Sequence, residues 1–139
     1  MILLDTDVVS EPMRGRPNPD VIRWLNEQDA AQLYVSSITV AEVHFGIAYL
    51  PEGQRQRRLR ETFGVFLDQA FDSRIVSFHK ASAEIYGQIR ASHRAQGRPI
   101  TPLDAQIAAI ALENDLSLAT RNVKDFDGLD IFIHNPFEA

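Results

Sequence analysis

Four polar side chains in this sequence lie beside or within apolar segments. Such segments are normally buried, so these side chains are expected near the core rather than on the open surface. Asp5 follows the run Met1–Leu4, Glu42 lies inside an almost wholly apolar segment, Asp104 opens another, and Asn122 follows a fourth. A carboxylate is costly to bury unless a cation or a metal ion pairs with it. Simpler explanations exist for each acid: a turn or helix cap for Asp5, an arginine salt bridge for Glu42, and a favourable helix N-terminal position for Asp104.

Hydrophobic patterning predicts strands that alternate with helices. The strands are expected at 1–4, 33–36, 74–78, 116–120 and 131–133. The helices are expected at 20–28, 37–50 with Ser37 as N-cap, 52–70, 80–96, and up to residue 114 from an N-cap at Thr101. This alternation predicts an α/β fold with three layers, in which helices cover both faces of a central parallel sheet of four to five strands. A chain of 139 residues is expected to form one domain, 1–139.

This topology brings the four polar side chains to one place. The chain leaves every strand of a parallel sheet at the same edge, so Asp5 and Asn122, which follow the first and fourth strands, lie at that edge. The helices that carry Glu42 and Asp104 must begin there as well. Ligands bind at this edge in open parallel sheets. Three converging carboxylates repel one another unless a divalent cation is present, and oxygen ligands without His or Cys favour Mg²⁺, with Mn²⁺ as an alternative, over Zn²⁺.

Composition narrows the classes of function. The chain contains no cysteine, which excludes disulfides, thiolate metal sites and a cysteine nucleophile. A net charge of −5 argues against a protein that coats nucleic acid non-specifically and suits a basic partner. With no signal peptide pattern and no apolar stretch of about 18 residues, a soluble cytoplasmic protein that does not bind membranes is expected. The four histidines have no metal-site spacing, and we assign them structural roles. The arginine-rich segment 55–60 is either a phosphate-contacting patch or a solvated helix face.

Four segments, in this order, resemble the PIN-domain toxins of the VapC type, and most of all their FitB-like branch. They are ILLDTDVVSE at 2–11, SITVAEVHFG at 37–46, PLDAQIAA at 102–109 and ATRNVKDF at 119–126, followed by a closing NPF at 135–137. The resemblance implies a Mg²⁺-dependent ribonuclease toxin that a VapB- or FitA-like antitoxin holds inactive. It also implies a homodimer, in which the helices at 52–70 and 80–96 would supply apolar contacts, and a hetero-octamer with the antitoxin on DNA as a larger assembly.

The resemblance also implies roles for individual residues. Asp5 and Asp104 match the principal metal ligands, and Glu42 matches the third acid of the catalytic set. Asn122 stands where many relatives carry a fourth acid, and Asp125 is the nearest carboxylate downstream. An asparagine carbonyl can accept a hydrogen bond or bind a metal ion, but it brings no negative charge.

The residues expected around these ligands are Thr6, Asp7 and Thr120. The two hydroxyls match positions that line the site, whereas Asp7 stands where relatives usually have Asn and adds a carboxylate. The implied reaction is hydrolysis of a phosphodiester bond by a metal-activated water. Phosphate anchoring would then fall to Arg14, Arg16 or the arginines of segment 55–60.

Two other functions compete with this one. The segment Asp5–Val9 also fits the opening motif of haloacid-dehalogenase-like phosphatases, with Asp5 as nucleophile and Asp7 as acid and base, but that interpretation leaves Glu42 and Asp104 unexplained. A non-catalytic, toxin-like partner that dimerises and supports DNA binding by the antitoxin is the second alternative.

Overall fold

A five-stranded parallel sheet lies at the centre of the computed structural model, which describes residues 1–138. The strands are β1 (Ile2–Leu4), β2 (Leu33–Ser36), β3 (Ile75–Val76), β4 (Ser117–Ala119) and β5 (Ile133–His134), in the spatial order β3-β2-β1-β4-β5. All four neighbouring pairs are parallel. The central strand, β1, is buried along its whole length, which explains its unbroken apolar run.

Six helices cover the sheet: α1 (Thr6–Ser10), α2 (Pro19–Glu27), α3 (Ser37–Ala48), α4 (Gln54–Phe71), α5 (Lys80–Ala95) and α6 (Pro102–Glu113). Leu4 belongs to a core formed with α1 to α4, whereas its neighbour Leu3 belongs to a second core formed with α5 and α6. Successive strand side chains point to opposite faces, so β1 divides the two cores. The predicted α/β/α class with its parallel sheet is confirmed.

Local boundaries differ from the prediction in four places. Helix α1 follows β1 directly, although no helix was predicted there, because five residues are too few to show a helical period. The N-cap of α3 is Ser36, whose Oγ accepts from the Thr39 amide at 3.0 Å, so the assignment to Ser37 was wrong. Ser37 Oγ instead accepts from the Phe78 amide at 3.3 Å. Strand β3 is shorter than predicted, and β5 lies two residues further along the chain.

The start of α6 is as predicted, and it bears directly on the site. Thr101 is the N-cap, Pro102 is the first helical residue, and Thr101 Oγ1 accepts from the Asp104 amide at 3.2 Å. Helix α5 runs antiparallel to α6, since His79 before α5 pairs with Glu113 at the end of α6 at 2.8 Å. No helix among residues 1–138 is both long enough and apolar enough to cross a membrane.

Candidate metal centre

Asp5 is the most enclosed acid at the sheet edge, with 5% of its surface exposed. Its amide donates to the carbonyl of Ala119 at 2.9 Å, which fixes the end of β1 against β4. Its Oδ1 accepts from the Thr6 amide at 2.8 Å, and its Oδ2 accepts from the hydroxyl of the buried Thr120 at 2.7 Å. Burial raises the pKa of Asp5, these two hydrogen bonds lower it, and the charges of Asp7 and Asp125 raise it further. Both carboxylate oxygens are therefore oriented, yet no described cation pairs with them.

Asp104 approaches Asp5 from the first turn of α6. It is partly buried, and this burial is the main reason that its pKa rises to about 6, against the opposing hydrogen bond of Thr101. The charges of Asp5 and Asp125 raise the pKa of Asp104 as well, and so does a hydrogen bond with the Asp125 side chain. The topology thus unites an acid at the end of a strand with an acid at the start of a helix, 99 positions later in the chain.

Asp125 joins this pair, since its charge acts on both Asp5 and Asp104 and its side chain shares a hydrogen bond with Asp104. Residues Val123–Phe126 form a 3₁₀ helix whose N-cap is Asn122, and the amide of Asp125 donates to the carbonyl of Asn122 at 3.1 Å. Asn122 itself is exposed and donates only its amide to Thr120 Oγ1 at 3.1 Å. Asp5, Asp104 and Asp125 are called the acid cluster below.

Glu42 lies in the second turn of α3, the helix that begins at the same edge of the sheet. Thr39 Oγ1 is 3.2 Å from Thr6 Oγ1, a contact that holds α3 against α1, and Glu42 follows Thr39 by one helical turn. Glu42 is partly buried, but its charge is not among those that raise the pKa of Asp5 or Asp104. Asp7 lies in the first turn of α1, and its charge acts on Asp5.

The donor atoms of the acid cluster suit a hard divalent cation. Among residues 1–138, no group of three or more His, Cys, Asp or Glu side chains lies where it could hold a metal ion. Zinc in structural sites normally requires four protein ligands, whereas Mg²⁺ usually takes one or two carboxylates and completes its shell with water and substrate phosphates. An open pair, Asp5 and Asp104, with Asp125 beside it and without a compensating cation, fits that second pattern.

Two features away from the acid cluster bear on the sequence predictions. Glu11, which the sequence did not single out, is 3% exposed, and its Oε1 lies 3.2 Å from Arg14 Nη1. This ion pair engages Arg14, one of the predicted phosphate anchors. The histidines form contacts elsewhere, such as His93 Nδ1 with the carbonyl of Ile89 at 3.1 Å, in line with structural roles.

Comparison with known proteins agrees with the fold. The family model of the PIN domain matches residues 2–131. The plasmid stability protein StbB of Pseudomonas syringae is 44% identical over the full length of both chains. Toxin FitB of Neisseria gonorrhoeae is 39% identical over 99% of both chains, and the VapC ribonuclease Y4jK of Sinorhizobium fredii is 33% identical over 99% of both.

Solved structures give the same result at the level of the fold. The crystal structure of FitAcB from Neisseria gonorrhoeae superposes with a TM-score of 0.95 and 39% identity, covering 100% of both chains. FitAB bound to an IR36 DNA fragment superposes with a TM-score of 0.93 over 99% of this chain and 96% of that one.

The chain belongs to the PIN domain family. Within that family, the full-length similarity to toxin FitB places it in the FitB-like branch of the VapC-type toxins. This assignment favours the acid-cluster interpretation of Asp5 over the phosphatase interpretation.

Proposed function

We propose that this protein is the toxin of a toxin–antitoxin pair and a Mg²⁺-dependent endoribonuclease. The observation that carries the proposal is the acid cluster, in which oriented and mutually repelling carboxylates meet at the edge of the sheet without a cation. The name of a relative, the VapC ribonuclease Y4jK, supports the choice of RNA as substrate.

Asp5 and Asp104 would hold the metal ion, with Asp125 beside them and Glu42 on the flanking helix. Bound Mg²⁺ lowers the pKa of a coordinated water and stabilises negative charge on a phosphate oxygen. Thr120 and the Thr6 amide hold the Asp5 carboxylate in one orientation before substrate arrives. Asp104 and Asp125 share a hydrogen bond while the pKa of Asp104 is about 6, so the metal-free site retains part of a proton near neutral pH. Metal binding would release it.

An RNA cleavage assay tests the proposal. The purified protein should cleave RNA in Mg²⁺ and lose this activity in EDTA. Asp5→Asn and Asp104→Asn should abolish cleavage, whereas the matched control Asp68→Asn, which changes an exposed acid on α4, should leave it intact. Cleavage that persists in EDTA, or in both site variants, would refute the metal-dependent nuclease. Growth after expression without the antitoxin tests the non-catalytic alternative. If the protein does not act by catalysis, its Asp5→Asn variant should be as toxic as the parent.

The antitoxin is the proposed protein partner, since a similar solved structure, 26% identical to this chain, is a toxin–antitoxin complex from Klebsiella pneumoniae. An apolar groove of about 360 Å³ lies between α1, α2 and α4. Val9 and Pro12 line one side, and Phe66, 37% exposed, lines the other. We assign an apolar segment of the antitoxin to this groove. Phe66→Asp should weaken capture of a co-expressed antitoxin without changing RNA cleavage by the free toxin.

A homodimer is proposed as well, through a different surface from the one that the sequence indicated. Exposed residues at helical spacing form a stripe along α3: Ala41, His44, Phe45, Ala48 and Tyr49. Phe45 is 65% exposed and Tyr49 is 82% exposed, and their rings lie 6.0 Å apart. In the described residues, α5 has no large apolar side chain that is comparably exposed, whereas α4 has Val65, which is 53% exposed. Light scattering should show a dimer that Tyr49→Glu converts to a monomer.

A further inference from the structure

The first two turns of α4 carry a concentration of positive charge that neither the fold nor the acid cluster uses. Four of the chain's 14 lysines and arginines lie within six consecutive positions, 55–60. All four are exposed, and none forms an ion pair with any residue that the structure describes. We call Arg55, Arg57, Arg58 and Arg60 the arginine cluster.

This placement is electrostatically unfavourable for the helix itself. The N-terminus of a helix carries a partial positive charge, which acidic side chains normally complement. The first turn of α4 contains no acid. Arg55 and Arg58, like Arg57 and Arg60, stand three residues apart and are therefore neighbours of like charge on the helix surface. Local violations of this kind are typical of functional sites, because an ordinary solvated face interleaves both signs of charge.

The backbone beneath the arginine cluster is firmly held. Gln56 is buried within it, and its side-chain amide donates to three carbonyls at the end of α3: Ile47 at 3.1 Å, Ala48 at 3.2 Å and Leu50 at 3.1 Å. Leu59 packs against the core beside α1. The arginines therefore project from a rigid hairpin of α3 and α4 rather than from a mobile loop.

The hairpin joins the arginine cluster to the acid cluster. Helix α3 begins at the sheet edge, where Thr39 contacts Thr6, and ends at Ala48, which accepts from Gln56. Nine residues of helix separate these two contacts, a rise of about 14 Å.

The acid cluster cannot attract RNA by itself, because its charge has the same sign as the phosphates and the whole chain carries −5. Local cations must supply the attraction. Guanidinium groups bind phosphate oxygens through paired hydrogen bonds and remain charged at any physiological pH. We propose that the arginine cluster binds the RNA backbone on one side of the scissile phosphate. This inference rests on the proposed ribonuclease function and names the surface that holds its substrate.

The binding experiment uses full-length protein with Asp104→Asn to prevent cleavage, a labelled single-stranded oligouridylate as probe, and a series of salt concentrations. Each phosphate contact to a single strand contributes about 0.7 to the slope of log K against log salt. The double variant Arg55→Gln with Arg58→Gln should weaken binding at low salt and reduce the slope by about 1.4. The matched control, Arg23→Gln with Lys80→Gln, removes two exposed charges from α2 and α5 and should leave the slope unchanged.

Cleavage kinetics in the otherwise unchanged protein provide a second measurement. The arginine double variant should raise KM for RNA and retain kcat, because the acid cluster is untouched. It should also unfold at the same temperature as the parent or a higher one, since it removes like-charge neighbours.

The outcomes separate the two proposals. If the parent cleaves RNA and the slope and KM of the arginine variant equal those of the control, the cluster is a solvated face and the inference fails. If RNA binding is unchanged but antitoxin capture is lost, the cluster contacts the antitoxin, and the inference fails as well. If the parent neither binds nor cleaves RNA in Mg²⁺, the ribonuclease function and the inference fall together.

Discussion

Replacing Asp104 by Asn should make the metal-free protein more stable while it removes activity. The pKa of Asp104 is about 6, against 3.8 for an unperturbed aspartate, so folding disfavours its ionised form. A difference of about 2 in pKa corresponds to about 3 kcal/mol. The side chain is partly exposed, and solvent screening reduces the effect to about 1–2 kcal/mol. Asparagine has nearly the same shape as aspartate. The hydrogen bond from the backbone amide of residue 104 to Thr101 Oγ1 is also kept.

The pH dependence has a definite sign. Because the pKa of Asp104 is raised on folding, the folded protein retains a proton that the unfolded chain loses between about pH 4 and pH 6. The stability of the parent should therefore fall as the pH rises through that window. The advantage of Asp104→Asn should be absent near pH 4 and complete above about pH 7. For a chain of this size, 1–2 kcal/mol corresponds to an increase in Tm of roughly 3–8 °C.

Urea unfolding in EDTA at several pH values measures this difference, with Asp68→Asn as the control for loss of a charge. Adding Mg²⁺ should stabilise the parent by about 2.7 kcal/mol at a concentration 100 times its Kd, and the variant by much less. The reasoning is wrong if Asp104→Asn is less stable than the parent in EDTA at neutral pH. It is also wrong if the difference between the two proteins does not shrink towards pH 4.

Three further changes test single contacts. Asp125→Asn should reduce RNA cleavage far more than Asn122→Ala, because Asp125 is the acid that contacts Asp104. Equal losses would show that Asn122 contributes as much to the site as Asp125. Thr120→Val should destabilise the fold by about 1.5–3 kcal/mol in urea unfolding, since it removes a hydrogen bond to the buried Asp5 carboxylate, and a loss below 0.5 kcal/mol would contradict that bond. Gly128→Ala should lower Tm through a cost of about 1–2 kcal/mol, because Gly128 has φ = +82°; an unchanged Tm would show that this turn relaxes.

The sheet and its connections could be predicted from the sequence because each depends on local pattern. Continuous apolar runs predicted the buried strands, and helical segments between them required parallel pairing. The start of α6 was predicted to the residue, since Thr101 and Pro102 are a cap and a first-turn residue with direct backbone consequences. Where the local signal was short or ambiguous the prediction failed, as at α1, with five residues, and at the adjacent serines Ser36 and Ser37.

Membership of the acid cluster was only partly predictable. The sequence placed Asp5, Glu42 and Asp104 at one edge of the sheet, because the chain leaves every parallel strand on the same side. The sequence could not show whether Glu42 or Asp125 lies closer to Asp5 and Asp104. That depends on separations of a few ångströms between elements that are distant in the chain. Helix α3 carries Glu42, and the 3₁₀ helix Val123–Phe126 carries Asp125, whose side chain shares a hydrogen bond with Asp104.

By itself, the sequence determined the fold class, the edge of the sheet that carries the site and two of its acids, because periodicity and strand direction are properties of the local chain. Only the tertiary structure decided that Thr120 orients Asp5, that the side chain of Asp125 shares a hydrogen bond with Asp104, and that Gln56 anchors the arginine cluster to α3. These contacts join residues whose distance in space follows from packing and from turn type. Local patterns in a single sequence do not reveal that distance.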